Sequence, residues 1–313
     1  MAHDECWCSK GMAPQLVFAA VVSTVLLIGG SAIAQDDEDD KQASSGLSNL
    51  YIDLRTNYAY VPGGTLSIGL GGTSLFATLS QLATFQKQFD APALPARPPF
   101  SPSTVQGVGV DIPLTVELGE ALSLYGGLTG STSYNGLSGW SDLAVTSWFL
   151  GFEVDLHQQN GGALPNLTLQ STLTRTVPDS PLATTSLNAI LEAKYALDAE
   201  EMRGWLVGIQ HTHVDVDSSL ARVGSATTGY VGGFYQWENN WKVTARLGIQ
   251  SFAGAQLLAI ASIPSYTQPL IRLDLDRMDD DDNRLFGITA QIGWAPKPLY
   301  QLTVRTPLYV IKN

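Results

Sequence analysis

Hydrophobic and polar residues alternate with a period of two over much of this chain. Between Tyr51 and Tyr60, Ile52, Leu54, Thr56, Tyr58 and Tyr60 fall on one side, and Asp53, Arg55 and Asn57 on the other. Successive side chains of a β-strand point to opposite faces, so such a run has one apolar and one polar face. The rhythm recurs. Leu114, Val116 and Leu118 oppose Thr115 and Glu117; Leu167, Leu169 and Leu173 oppose Thr168, Gln170, Thr172 and Thr174. Val243, Ala245, Leu247 and Ile249 oppose Lys242, Thr244, Arg246 and Gln250; Leu302, Val304 and Leu308 oppose Gln301, Thr303 and Arg305. A helix cannot place Lys242, Thr244 and Arg246 on one face. Dyad segments of ~10 residues separated by turn residues are the signature of a transmembrane barrel. A half-buried soluble sheet alternates in the same way, so the pattern alone leaves both open.

The spacing predicts an all-β chain: an antiparallel barrel of about twelve strands, since bacterial single-chain barrels favour even numbers. The strands centre near Arg55, Ile68, Ile112, Tyr125, Trp148, Gln170, Glu192, Gly208, Gly232, Leu247, Ile288 and Arg305, and an apolar stretch at 256–275 finds no place. Turn chemistry separates them at Asn160-Gly161-Gly162, Val177-Pro178-Asp179, Glu238-Asn239-Asn240 and Ala295-Pro296-Lys297-Pro298. Trp148, Phe149, Trp205, Tyr230, Trp237, Trp241, Trp294, Tyr300 and Tyr309 suit two interfacial girdles, or in part an aromatic core. Near the C-terminus Pro307 interrupts the last strand, and Tyr309 would be its aromatic end if the final residues overhang.

Ahead of the strands, Leu16 to Ala34 is apolar and uncharged, ends in Ala32-Ile33-Ala34, and is followed by Asp36, Asp37, Glu38, Asp39 and Asp40. That is the form of a cleavable signal peptide over residues 1–34, with an uncleaved anchor as the other reading. Residues 35–48 then read as an acidic disordered lead and residues 49–313 as the barrel. Both cysteines, Cys6 and Cys8, lie before the apolar core. Export followed by alternating strands places the chain in the outer membrane of a Gram-negative cell.

One segment breaks the rhythm. In residues 74–103, Leu75, Leu79, Leu82 and Phe89 fall near helical spacing, and Pro92, Pro95, Pro98, Pro99 and Pro102 follow. Proline cannot donate to a ladder, so this is no interior strand. It reads as a short helix and an extended loop, either folded into the lumen as a constriction or lying outside.

Composition narrows the function. Charged residues are 15% of the chain, and the net charge is −12. Nucleic acid is excluded as a partner, because its phosphates need a basic surface. The lumen-lining candidates are Asp53, Arg55, Glu117, Lys242 and Arg246. His211, His213, Asp215 and Asp217 share a face at period two. They are weak metal ligands, because alternate residues on a strand sit ~7 Å apart, and read better as a polar lumen wall ending in an acidic rim. The run Asp274, Asp276, Asp279, Asp280, Asp281 and Asp282 reads as a solvated loop that could bind cations or bridge lipopolysaccharide phosphates. No catalytic residue or cofactor is expected. His213 with Ser218 or Ser219 lacks the His-x-Ser spacing of membrane lipid hydrolases, and no G-x-S-x-G or H-E-x-x-H occurs.

Gly139-Trp140-Ser141-Asp142 opens a strand pair that runs to Arg175-Thr176-Val177-Pro178-Asp179. This resembles the outer-membrane barrel family of the phenol-degradation meta-pathway type, a transporter-like family with a G-x-G-D turn before one strand and a P-x-G-D-like turn after the next. Ser141 stands at the middle Gly, and Asp179-Ser180 replaces Gly-Asp. The resemblance implies an outer-membrane channel or transporter for passive uptake of small solutes, aromatic or hydrophobic compounds included. Its partners would be outer-membrane lipid and lipopolysaccharide, the solute and the barrel-assembly machinery. The alternative is a non-transporting barrel with a structural or surface-interaction role.

Overall fold

The computed structural model describes residues 49–62, 104–119, 121–135, 139–159, 161–177, 183–217, 221–257, 261–279, 284–294 and 297–312. The apolar segment 16–34, the acidic lead 35–48, the strand expected near Ile68 and the segment 74–103 lie outside them. The described residues form β1 (Asn49–Val61), β2 (Val105–Glu117), β3 (Leu122–Asn135), β4 (Gly139–Trp140), β5 (Ala144–His157), β6 (Asn166–Thr176), β7 (Thr184–Ala196) and β8 (Arg203–Val216). They continue with β9 (Ala221–Val223), β10 (Ala226–Gln236), β11 (Trp241–Phe252), β12 (Ala255–Leu257), β13 (Ala261–Ile263), β14 (Tyr266–Met278), β15 (Arg284–Gly293) and β16 (Leu299–Lys312).

Twelve of these are long and pair in the ring order β1-β16-β15-β14-β11-β10-β8-β7-β6-β5-β3-β2, each pair antiparallel. The β2–β1 pairing returns the chain to its start, and β2–β3 completes the circuit. A closed ring has no edge, so every strand satisfies its backbone groups on both sides. At ~4.8 Å between strands and a tilt of ~40°, twelve strands make a backbone ring roughly 24 Å across. β4 extends one hairpin, and β9, β12 and β13 form a separate three-stranded sheet in the connections after β8 and β11. Asn49 pairs with Lys312, so the outer ends of β1 and β16 lie at the end of the barrel that carries the short turns.

The two faces of the ring differ in kind. Outward positions carry exposed Ile112, Leu124, Leu150, Leu187, Ile209, Val231, Leu247, Ile249, Leu273 and Leu302. Inward positions carry buried Asp53, Asn57, Asp111, Thr172, Asn188, Gln210, Gln250, Gln268, Asp274 and Gln291. A water-soluble sheet would invert this; an apolar belt around a polar interior is the transmembrane arrangement. Aromatic residues edge the belt. Tyr195 stacks on Trp205, Tyr235 meets Trp237 edge-on and Arg277 lies over Trp241 at the short-turn end. Tyr60 with Tyr300 and Tyr134 with Trp140 mark the other end. On β16, Tyr300 and Tyr309 stand roughly 20 Å apart along the membrane normal, allowing ~3.3 Å per residue and the tilt. Phe149 and Tyr230, for which the sequence left girdle and core both open, point inward.

Those inward rings need space beside them. A Cβ on Gly208 would lie 2.3 Å from the Tyr230 ring, and one on Gly151 would lie 2.5 Å from the Tyr125 ring. Glycine on one strand therefore lets the neighbouring strand's ring lie flat against the wall. Gly139, at φ +74°, makes the turn into β4 at the motif of the family resemblance.

Two expectations change. The twelfth described strand is β14, built from the stretch the sequence pattern left unplaced. β16 does not stop at Tyr309: it pairs with β1 as far as Lys312, and the register shifts opposite Pro307, between Ile52 and Asp53. Proline offers no N–H there, and the bulge absorbs the missing ladder bond.

Leu247 sits mid-belt. Leu247→Arg is expected to destabilise the barrel by about 2–4 kcal/mol in lipid. Urea titration of folding in vesicles checks this, and an unchanged midpoint would place that face outside the bilayer.

Candidate functional site

The direction of the inward face follows from one contact. Arg246 on β11 and Glu192 on β7 are separated in the ring by β10 and β8, yet their side chains meet at 3.2 Å. That chord can only run through the concave interior, and it fixes the facing of every residue in register with the pair.

Around this chord lies a charged layer. Arg246 also pairs with Asp274 at 2.7 Å, and Asp274 receives Arg272 at 2.8 Å and the hydroxyl of Thr289 at 2.6 Å. Tyr230 donates to Glu192 at 2.8 Å. Arg284 pairs with Asp276 at 2.8 Å. Arg305 pairs with Asp53, which Arg55 approaches at 3.9 Å from two residues along the strand. Asn57 donates to Asp111 at 2.6 Å and accepts from Thr303 at 2.7 Å. Lys194 and Lys242 stand over the Phe234 ring at 4.6 and 5.5 Å. Charges removed from bulk water require such partners, because an unpaired ion in low dielectric is costly.

Towards the end opposite the short turns the layer gives way to neutral amides and hydroxyls. Gln268 donates to Gln250 at 2.8 Å, Gln250 to Thr228 at 2.9 Å, and Thr212 to Asn188 at 2.7 Å. Beyond them the interior is apolar, with Ala59, Val61, Val214, Ala226, Phe252 and Leu299 all buried. The lumen is thus layered: charged, then neutral polar, then apolar.

Asp53, Arg55, Glu117, Lys242 and Arg246 all occupy inward register positions. Asp53, Arg55 and Arg246 belong to the network; Glu117 accepts from Asn49 at 2.6 Å at the short-turn end. His211, His213 and Asp215 are not lumen residues. They alternate with buried Gln210, Thr212 and Val214, so they lie on the outer face. His211 meets Thr227 at 2.9 Å and His213 meets Asp215 at 3.2 Å. Asp217, just past β8, takes both nitrogens of the Arg175 fork, and this bond holds its carboxyl below the ordinary carboxylate range. No group of three or more metal-binding side chains forms among the described residues. Asp274 and Asp276 belong to no loop: they are inward residues of β14, Asp279 follows its end, and Asp280, Asp281 and Asp282 lie outside the described residues, as do Ser218 and Ser219. Sequence reasoning missed Glu192, Arg272, Asp274, Asp276 and Arg284 as lumen residues. The alternation of Arg272, Asp274 and Asp276 with Leu273 and Leu275 was the available signal.

The fold is similar to that of an outer membrane channel from Pseudomonas putida F1, with a TM-score of 0.51 and 10% identity over 88% of this chain and 100% of that one. The translocator domain of the autotransporter NalP from Neisseria meningitidis matches at a TM-score of 0.41 and 10% identity, over 97% of this chain and 100% of that one. The deltaS2S3 mutant of the TodX monoaromatic hydrocarbon channel matches at 0.34 and 12%, over 84% and 89%. At these identities the likeness is one of fold, and only the first is close enough to bear on it. No family model and no curated protein matches the chain. The described chain is an all-β barrel of the outer-membrane type.

Arg246 serves two acids on different strands. Arg246→Met is expected to cost about 1–3 kcal/mol, and Glu192→Gln added to it is expected to cost less than it does alone. Urea titration of the single and double variants checks the coupling, and strict additivity would contradict it.

Proposed function

We propose that this protein is a passive channel of the outer membrane for small solutes. The observation that supports this best is a closed ring, apolar outside, whose interior is lined by charges at one level and neutral amides at the next. Such an interior offers hydrogen-bonding partners over its charged and neutral polar levels. Selection then rests on lumen width and lining charge, with no energy input. The charged layer favours solutes that carry polar groups over plain hydrocarbons. The resemblance at Gly139 to Asp142 makes small aromatic compounds with polar substituents reasonable cargo. Lipid would contact the belt, and lipopolysaccharide would surround its outer rim. Insertion would require the barrel-assembly machinery.

The side chains that cross the lumen, Arg246 to Glu192 above all, favour a second reading: a barrel filled by its own residues with a structural role. Single-channel recording in planar bilayers separates the two. The channel reading predicts steady conductance, and Arg246→Glu is expected to raise the cation-to-anion permeability ratio about 3-fold, because the lumen loses one positive and gains one negative charge. A silent bilayer from folded protein would contradict the channel.

A further inference from the structure

The lumen charges are segregated. One arc of the ring, β11, β14, β15, β16 and β1, carries Arg246, Arg272, Arg284, Arg305 and Arg55. Three acids stand among them: Asp276 takes Arg284 alone, and the other two are shared. Asp274 takes two guanidinium groups, Arg246 and Arg272, and Asp53 takes two, Arg305 and Arg55. Five arginines and Lys242 against Asp53, Asp274 and Asp276 leave this arc net positive.

The opposite arc is the reverse. In the ring order β5 stands six strands from β14, and β7 six from β16, so these pairs face each other across the lumen. β5 contributes Glu153 and Asp155 on its inward face, and β7 contributes Glu192 and one base, Lys194, so this arc is net negative. Asp155 accepts a bond from the neutral hydroxyl of Thr168 at 2.8 Å. Neither Glu153 nor Asp155 has an ion-pair partner among the described residues, and Glu153 is exposed within a strand whose alternate residues face lipid. Glu153 stands on the inward face of β5, opposite β14 in the ring and one strand from the diametric position of Arg284 on β15. An exposed carboxylate therefore looks across the lumen at an arginine surplus.

Resting on the channel reading above, we propose that this layer is a transverse electrostatic filter that favours small zwitterionic solutes over neutral solutes of the same size. A simple anion drawn to the arginine arc is repelled by Glu153 and Asp155, and a simple cation meets the converse. A solute with an ammonium and a carboxylate satisfies both walls when its dipole lies across the axis. It sheds water there against fixed groups of the right sign. The path is low in dielectric at its walls, so the field is stronger than it would be in bulk water.

The test is swelling of proteoliposomes in alanine and in lactamide, isomers of identical formula, one zwitterionic and one neutral at pH 7. The expected alanine-to-lactamide rate ratio is about 3 or more, collapsing towards 1 at ~1 M salt, where the screening length is ~3 Å. Glu153→Gln is expected to bring the ratio close to 1 in low salt, whereas Asp215→Asn, on the outer face, keeps the wild-type ratio. Heat-modifiable gel mobility confirms that each variant is folded. A wild-type ratio near 1 with both solutes entering overturns the filter and leaves the channel standing, as does a ratio that Glu153→Gln does not move. Entry of neither solute overturns the channel and the filter together.

Discussion

Hydrocarbon offers no hydrogen bonds, and the backbone of this chain answers that by closing on itself. Every peptide group that enters the bilayer core must find its partner within the protein. The pairing of β16 with β1, and of β1 with β2, leaves none of the twelve long strands with a free side. The constraint reaches single residues. Pro307 removes one donor from β16, and the ladder slips by a residue opposite it rather than leaving the ring open. Without closure neither the apolar belt nor the charged interior would have a place to exist.

Closure also decides where polarity goes. The outer face must be greasy, so each strand sends alternate residues inward, and most of the polar content of twelve strands converges on one narrow space. Charges gathered there have little water, so they organise one another. Arg246, Asp274, Glu192 and Tyr230 are held by residues from four strands, and the glycines at 208 and 151 let Tyr230 and Tyr125 lie along the wall instead of across the passage. The same convergence explains why the charges meet in clusters: a strand face is a line, and β14 alone brings Arg272, Asp274 and Asp276 to one line.

Much of this was legible in the residue pattern. Period-two alternation gave the all-β class, the strand number and the inward side of β1, β2 and β11. It failed where local composition masked the period. In β14, Asp274 and Asp276 run on into Asp279 and its neighbours, and the eye joins them into one acidic loop, although Leu273 and Leu275 keep the beat. His211, His213 and Asp215 mislead because they are polar, which alone suggests a lumen wall. They face outward near the end of β8, beyond Ile209, where the belt ends and polarity no longer marks the inner side. The ion pairs were beyond reach, since the meeting of Glu192 and Arg246 depends on ring order and stagger, which no single strand records.

The arrangement of faces is tested most directly by scanning β11 with single cysteines in a variant lacking Cys6 and Cys8, reconstituted in lipid and labelled with a fluorophore. A closed ring predicts that probes at Val243, Ala245, Leu247 and Ile249 are quenched by lipid-borne quenchers, and that probes at Thr244, Arg246 and Gly248 are quenched from water. Quenching that fails to alternate, or water access on both faces, would contradict a barrel that holds its charges inside and its hydrocarbon surface out.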